Sequence, residues 1–317
     1  MRRQPIKFIS KSHEILMFKW LLAAIIIIVF TCPAFARKDK TNFSPSSGKK
    51  YEQESEDLDV PYVPTPMKVV RTLLNLASVG PKDFLIDLGS GDGRIVITAA
   101  KEYGVQGFGV DLNEKLVELS KNYAVEEGVA KQTEFFVQDI FNTDIRNASI
   151  VTMYLLNEVN LELRPKLLNE LKAGTRIISH DFHMGAWRPD KMTRLDLEKY
   201  YQKDTLLYLW VVPAKVAGRW QWTLPLGGKD QHFDLSLNQN FQDISGTVHD
   251  KEDRLSIFNP LLEGDRIRFS LVSEADERMI RQDYSGRVKG NIIKGTVQLG
   301  GTVRNKTLEW QAVRVRQ

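Results

Sequence analysis

The stretch Phe84-Leu85-Ile86-Asp87-Leu88-Gly89-Ser90-Gly91-Asp92-Gly93-Arg94-Ile95-Val96-Ile97 constrains this chain more than any other. An apolar run enters Asp87, three glycines follow at every second position, and a second apolar run opens at Ile95. The pattern predicts a buried strand, a tight turn and a helix N-terminus. Glycines let the backbone pass close under a ligand with no Cβ in the way. The unpaired N–H groups of a helix start favour an anionic or carboxylate-bearing ligand.

Two cofactors use such a turn. Dinucleotides require G-x-G-x-x-G, with the last glycine packing helix on strand. Here the spacing is G-x-G-x-G and the next position is Arg94. Asp87 stands just before the turn, where a carboxylate can receive an ammonium group. The run from Asp87 to Gly93, D-x-G-x-G-x-G, resembles motif I of class I S-adenosylmethionine (SAM) methyltransferases. Two more short runs end in an acid, Gly107-Phe108-Gly109-Val110-Asp111 and Phe135-Phe136-Val137-Gln138-Asp139. An acid about 20 residues beyond the glycine turn can take ribose hydroxyls, which assigns Asp111. Singly, either acid could instead be a helix N-cap. The resemblance implies SAM as cofactor, with Asp139 at the adenine amino group. It places Asp87, Gly89, Ser90, Gly91, Gly93, Asp111 and Asp139 in the cofactor site.

Around this stretch, strands are expected near 84–88, 106–111, 133–138, 149–155, 174–180 and 205–212, with helices near 93–103, 113–127 and 159–172. Alternation of this kind means an α/β, doubly wound, Rossmann-like parallel sheet. Upstream, Pro61, Pro64 and Pro66 stiffen an extended segment. A helix then begins with Thr65 as N-cap and Pro66 at its first position. From Pro213 the period changes to two, as in Phe233, Leu235 and Leu237 or Ile267, Phe269 and Leu271. Turn signals recur through this part, and seven or eight antiparallel strands in a small barrel or sandwich are expected. Such a unit could bind a ligand, dock a protein substrate or pack on the first domain; docking or packing is favoured.

The N-terminal part differs from the rest. Ten of the 44 lysines and arginines fall in residues 1–50 against two of the 40 acids, so the net charge of +4 hides a negative remainder. The charge distribution makes no case for nucleic acid as partner. Trp20 to Ala36 is a run of 17 residues without a charge, ending in Ala34-Phe35-Ala36. It is read as a signal peptide or a membrane anchor, so the protein is expected to be membrane-associated or exported. The single cysteine, Cys32, lies inside it, which leaves no intrachain disulfide and no cysteine-based metal site. The domain plan is therefore a leader (1–36), a flexible linker (37–58), a methyltransferase domain (59–212) and a β-rich domain (213–317).

The Pro-Tyr-Val-Pro-Thr-Pro segment (61–66), motif I through Val96, Tyr154-Leu155-Leu156 and Gly174-Thr175-Arg176-Ile177-Ile178-Ser179 occur in that order. Together they resemble the bacterial relatives of membrane-anchored mitochondrial protein-lysine methyltransferases, which are distantly Dot1-like. The resemblance implies a SAM-dependent methyltransferase acting on a protein lysine. A lysine must be neutral to attack, and aromatic rings can hold an alkylammonium. Tyr62, Tyr154, Asn157 and Glu158 are the candidate acceptor wall. His180 and His183 are possible acid/base groups; a metal between them is not expected. Two alternatives stay open: an exported or anchored binding protein with a degenerate methyltransferase fold, and a small-molecule methyltransferase.

Overall fold

The computed structural model describes residues 62–197, 204–226, 228–250, 253–275, 278–301 and 306–315. The expectations for the leader and the linker lie outside these residues. Among the described residues, no helix is long and apolar enough to cross a membrane.

The first half is a seven-stranded mixed sheet. In chain order it comprises α1 (Met67–Leu76), β1 (Phe84–Leu88), α2 (Arg94–Tyr103), β2 (Gln106–Asp111), α3 (Glu114–Glu126) and β3 (Thr133–Val137). There follow β4 (Ile150–Met153), α4 (Asn157–Glu170), β5 (Arg176–His180), β6 (Lys191–Leu195) and β7 (Thr205–Val211). The strand order is β3-β2-β1-β4-β5-β7-β6. β7 runs antiparallel to both neighbours, and the other pairings are parallel. The chain moves outward from β1 through β2 and β3, then returns to place β4 on the other side of β1. That reversal opens a crevice at the carboxyl ends of β1 and β4, where open α/β sheets bind ligands. β1 is buried from Leu85 to Leu88, as a central parallel strand covered on both faces must be. α1 buries Val69, Val70, Leu73 and Leu74 against the sheet, the spacing of one helix face.

The second half is a nine-stranded antiparallel sheet in the order β11-β10-β9-β8-β16-β15-β14-β13-β12. Its strands are β8 (Gly218–Leu226), β9 (Lys229–Asn240), β10 (Asp243–Asp250), β11 (Asp253–Ser256) and β12 (Phe258–Glu263). β13 (Arg266–Ala275), β14 (Arg278–Lys289), β15 (Ile292–Gly301) and β16 (Lys306–Arg314) complete it. The two edge strands, β11 and β12, are consecutive in the chain, separated by Ile257. β11 pairs with β10 and β12 with β13, and Ile257 N–H donates to the Gly246 carbonyl at 3.1 Å. One interrupted stretch thus joins both edges and nearly closes a meander into a barrel, which protects strand edges. Trp222, Phe233, Phe269, Tyr284 and Trp310 form an aromatic cluster within its core, the Phe269 and Tyr284 centroids being 4.7 Å apart. Their polar atoms are paired: Trp222 Nε1 donates to Tyr284 Oη at 3.2 Å, and Gln282 Nε2 to Ser273 Oγ at 2.7 Å.

Several sequence expectations are corrected. The antiparallel sheet has nine strands rather than seven or eight, with Ile257 separating the short β11 from β12. β6 was not anticipated; its short, mostly exposed Lys-Met-Thr-Arg-Leu sequence carries little periodicity. β4 ends at Met153, so Tyr154 lies beyond the strand, and α4 begins two residues early, at Asn157. Thr65 does not cap α1: Pro66 is the N-cap and no side chain bonds the helix start.

Candidate active site

The glycine turn is built as its sequence demands. Gly89, Gly91 and Gly93 have φ of +78°, +53° and +77°, left-handed values that side chains with a Cβ rarely adopt. A Cβ at Gly91 would lie 2.5 Å from Tyr62 Cε2. Gly89 and Ser90 N–H groups donate to the Val110 carbonyl at 2.9 Å, tying the turn to β2.

Asp87 is buried on β1, level with Thr152 of β4. Thr152 Oγ1 donates to its Oδ1 at 2.6 Å. Burial raises its pKa to about 7, against the Thr152 hydrogen bond and with help from Asp111 and Asp92. A carboxyl group held so far from water is poised to gain a cationic partner. Asp111, at the end of β2, accepts from Gly91 N–H at 2.8 Å and Asn113 N–H at 2.9 Å. Burial raises its pKa as well. Asp139 lines the same pocket while closing its own turn, accepting from Phe141 N–H and Asn142 Nδ2, both at 2.8 Å. No helix lies between it and β4, so it is not a helix cap.

These residues fit SAM. Ser90 Oγ lines the pocket, is buried and has no hydrogen-bond partner in the protein. Gly89 and Gly91 line the pocket, whereas Gly93 does not: a Cβ there would meet Phe135 and Ser120. Asp87 would meet the amino acid portion, Asp111 the ribose and Asp139 the adenine, with Leu112, Ile140 and Phe141 as apolar walls at that end.

A buried ion pair escaped the sequence reading. Arg94 donates from Nε and Nη2 to both Asp92 carboxylate oxygens, at 2.8 and 2.5 Å, and from Nη1 to the Thr65 carbonyl at 2.7 Å. Asp92 and Arg94 are 1% and 6% exposed. The acid-x-base spacing inside the glycine turn was the available signal, but nothing in sequence joined it to Thr65. The proline-rich segment is therefore fastened over the turn. Tyr62 belongs to this clamp: its ring lies over Gly91, and its phenol bonds the Asp92–Arg94 pair. Burial, then the Asp92 charge, raises its pKa. Tyr62 lines the same pocket as Tyr154, with its hydroxyl engaged by the clamp.

Tyr154 lines the same pocket from beyond the end of β4. Its ring stacks on His180, centroids 3.9 Å apart, and lies 5.9 Å from that of Phe182. Burial, then Asp181, raises its pKa. His180 is 3% exposed. Its Nε2 is 2.6 Å from Thr205 Oγ1, which itself donates to Asp181 Oδ1 at 2.6 Å. Thr205 has one proton to give, so His180 Nε2 carries a hydrogen; its Nδ1 lies 3.4 Å from Thr65 Oγ1. The network holds the His180 ring in place against Tyr154, with Asp181 Oδ2 3.6 Å from Nε2. His183 is exposed, its Nδ1 accepting from Gly185 N–H at 3.0 Å. Asn157 and Glu158 do not line the pocket. Asn157 Oδ1 accepts from His183 N–H at 3.0 Å, and Glu158 is an exposed first-turn acid of α4, where a carboxylate suits the helix dipole. Among the described residues no group of three or more His, Cys, Asp or Glu could hold a metal.

Comparison with known proteins finds methyltransferases. Residues 87–191 match the ANTKMT methyltransferase domain. The chain is 44% identical over 138 residues to a protein-lysine N-methyltransferase of Saccharolobus islandicus, covering 43% of this chain and 86% of that protein. It is 35% identical over 133 residues to the adenine nucleotide translocase lysine N-methyltransferase of Mus musculus, covering 42% of this chain and 57% of that protein. Among solved structures, an RNA methyltransferase from Salinibacter ruber in complex with S-adenosyl-L-homocysteine is 47% identical, with a TM-score of 0.45, covering 49% of this chain and 96% of that one. The chain belongs to the class I SAM-dependent methyltransferases, in the family of the Saccharolobus protein-lysine N-methyltransferase.

Proposed function

We propose that this protein transfers a methyl group to the ε-amino group of a lysine side chain in another protein. The observation that carries the reading is the acceptor side of the pocket. Val63, Pro64, Tyr154, Leu155 and Val159 line it without a charge, and its aromatic ring is braced from behind by His180 and Phe182. An uncharged wall disfavours the ammonium form of an entering lysine and so favours the neutral, nucleophilic amine. The names of the relatives support the same acceptor.

When bound, SAM supplies an electrophilic methyl on a sulfonium. The chain's own residues align and dehydrate the reactants. Asp87 and Ser90 fix the amino acid portion, Asp111 the ribose, and the Tyr62 strap covers the turn and excludes water. Tyr154 offers its ring face to the aliphatic stem and amine of the lysine. Alignment and desolvation suffice for an in-line displacement, and the proton lost by the lysine passes to solvent. We further propose that the uncharged run 20–36 places the domain at a membrane, which cell fractionation and an intact mass of the mature chain would test.

The test is incubation of the purified chain with methyl-labelled SAM and separated protein, RNA and small-molecule fractions. Label recovered as N-methyl-lysine supports the reading. Label confined to RNA or to small molecules, or SAM bound with no transfer, overturns it.

A further inference from the structure

The matched methyltransferase domain ends at residue 191, before the barrel begins at Gly218. The barrel nevertheless reaches into it. The β9–β10 hairpin turns on two residues, Phe241 and Gln242, with Asn240 paired to Asp243. Phe241 has φ +54°, a left-handed value that glycine or asparagine fills in such turns and a phenylalanine adopts only under external constraint. The constraint is visible. The Phe241 ring stacks on Trp187, centroids 5.8 Å apart and planes 10° apart. The Arg164 guanidinium of α4 lies 5.5 Å from its centroid, over the ring. Gln242 Nε2 donates to the Arg188 carbonyl at 2.7 Å, and Arg188 pairs with Asp243 at 2.9 Å.

Trp187 and Arg188 belong to residues 181–190, which join β5 to β6 without a helix. This loop also carries Phe182, against Tyr154. From its other side α4 holds it: Asn160 Nδ2 donates to the Phe182 carbonyl at 3.3 Å and Arg164 Nη1 to the Met184 carbonyl at 2.8 Å. A crossover helix commonly covers such a connection in a doubly wound sheet. Here the barrel's turn supplies the cover.

We propose that the barrel acts in methyl transfer as a buttress, with Phe241 as a positioning residue for the acceptor side. By packing on both Trp187 and Arg164, Phe241 fixes the 181–190 loop, which holds Phe182 against Tyr154 and so sets Tyr154 toward the entering lysine; this last step rests on the lysine reading above. The cofactor side is built from other elements, β1, β2 and the glycine turn.

The test uses the full chain and Phe241→Gly. Glycine suits the left-handed turn, so the hairpin keeps its backbone while the ring is removed; Phe241→Tyr restores the ring. Hydrogen exchange needs no substrate: amides of 182–188 should exchange at least tenfold faster in Phe241→Gly, with β1 and β2 unchanged. SAM affinity should stay within twofold, kcat for methyl transfer should fall at least fivefold, and Phe241→Tyr should recover both loop protection and kcat. Unchanged exchange at 182–188, or a kcat equal to wild type, overturns the proposal. So does loss of SAM affinity in step with kcat, which marks a merely structural residue. A faster loop in Phe241→Gly beside a wild type that methylates no protein upholds the buttress and sinks the lysine reading instead.

Discussion

Asp87 gives the sharpest quantitative expectation. Its folded pKa is about 7 through burial, against about 3.9 in an unfolded chain. The ligand-free protein therefore binds more protons than its unfolded state between these values, and its stability falls as pH rises through them. From pH 5.5 to 8 the loss from this one group is about 2 kcal/mol, and the total above pH 8 about 4 kcal/mol. A cationic partner reverses the sign: the ammonium of SAM favours the ionised carboxylate, so SAM affinity should rise up to about tenfold per pH unit to about pH 7 and then level off. Asp87→Asn removes both effects while leaving an acceptor for Thr152. It should raise the ligand-free melting temperature at pH 8 relative to wild type, flatten its pH dependence, and weaken SAM binding by about 1.5–3 kcal/mol, the scale of a charge-assisted hydrogen bond. Thermal melts at pH 5.5 and 8 and calorimetric titration check all three. A variant less stable than wild type at pH 8, or one that binds SAM with unchanged affinity, would refute the reasoning.

Other expectations follow from the clamp and the acceptor wall. Arg94→Lys loses the fork that spans Asp92 and Thr65, and stranding a buried carboxylate should cost about 3–5 kcal/mol in denaturant melts. Gly91→Ala meets the Tyr62 ring in a left-handed conformation; it should cost at least about 1 kcal/mol and weaken SAM binding in titration. Tyr62→Ala should lower SAM affinity before it affects turnover, because the ring covers the cofactor turn. Tyr154→Ala should leave SAM affinity nearly unchanged and cut methyl transfer at least about tenfold, or 1.4 kcal/mol; equal losses of both would make it a packing residue.

The parallel part of the sheet and the glycine turn were legible because their signals are local, whereas the antiparallel β7 was not. Asp87, the three glycines and Asp111 each sit beside the backbone they serve, and the apolar runs mark their own strands. The acceptor side was legible only in part, since its geometry depends on which distant residues meet. Tyr154 ends a run that the sequence marks, but its stacking partner His180 arrives from β5 and is bonded by Thr205 of β7. The clamp on Tyr62 was not legible because the reach of Arg94 to Thr65 spans 29 positions. Asn157 and Glu158 share the end of β4 with Tyr154, yet α4 begins at once and turns them to the 181–190 loop and to solvent. The barrel was readable as alternation, whereas its use of Phe241 in a turn suited to glycine ran against local propensity.

A crystal structure of the full chain with S-adenosyl-L-homocysteine tests the site most directly. The expected density places the amino acid portion at Asp87 and Ser90, the ribose at Asp111, the adenine among Leu112, Asp139 and Phe141, and the sulfur facing Tyr154 beneath the Tyr62 strap. A ligand bound outside this pocket, or one whose sulfur faces away from Tyr154, would contradict the assignment of both the cofactor site and the acceptor wall.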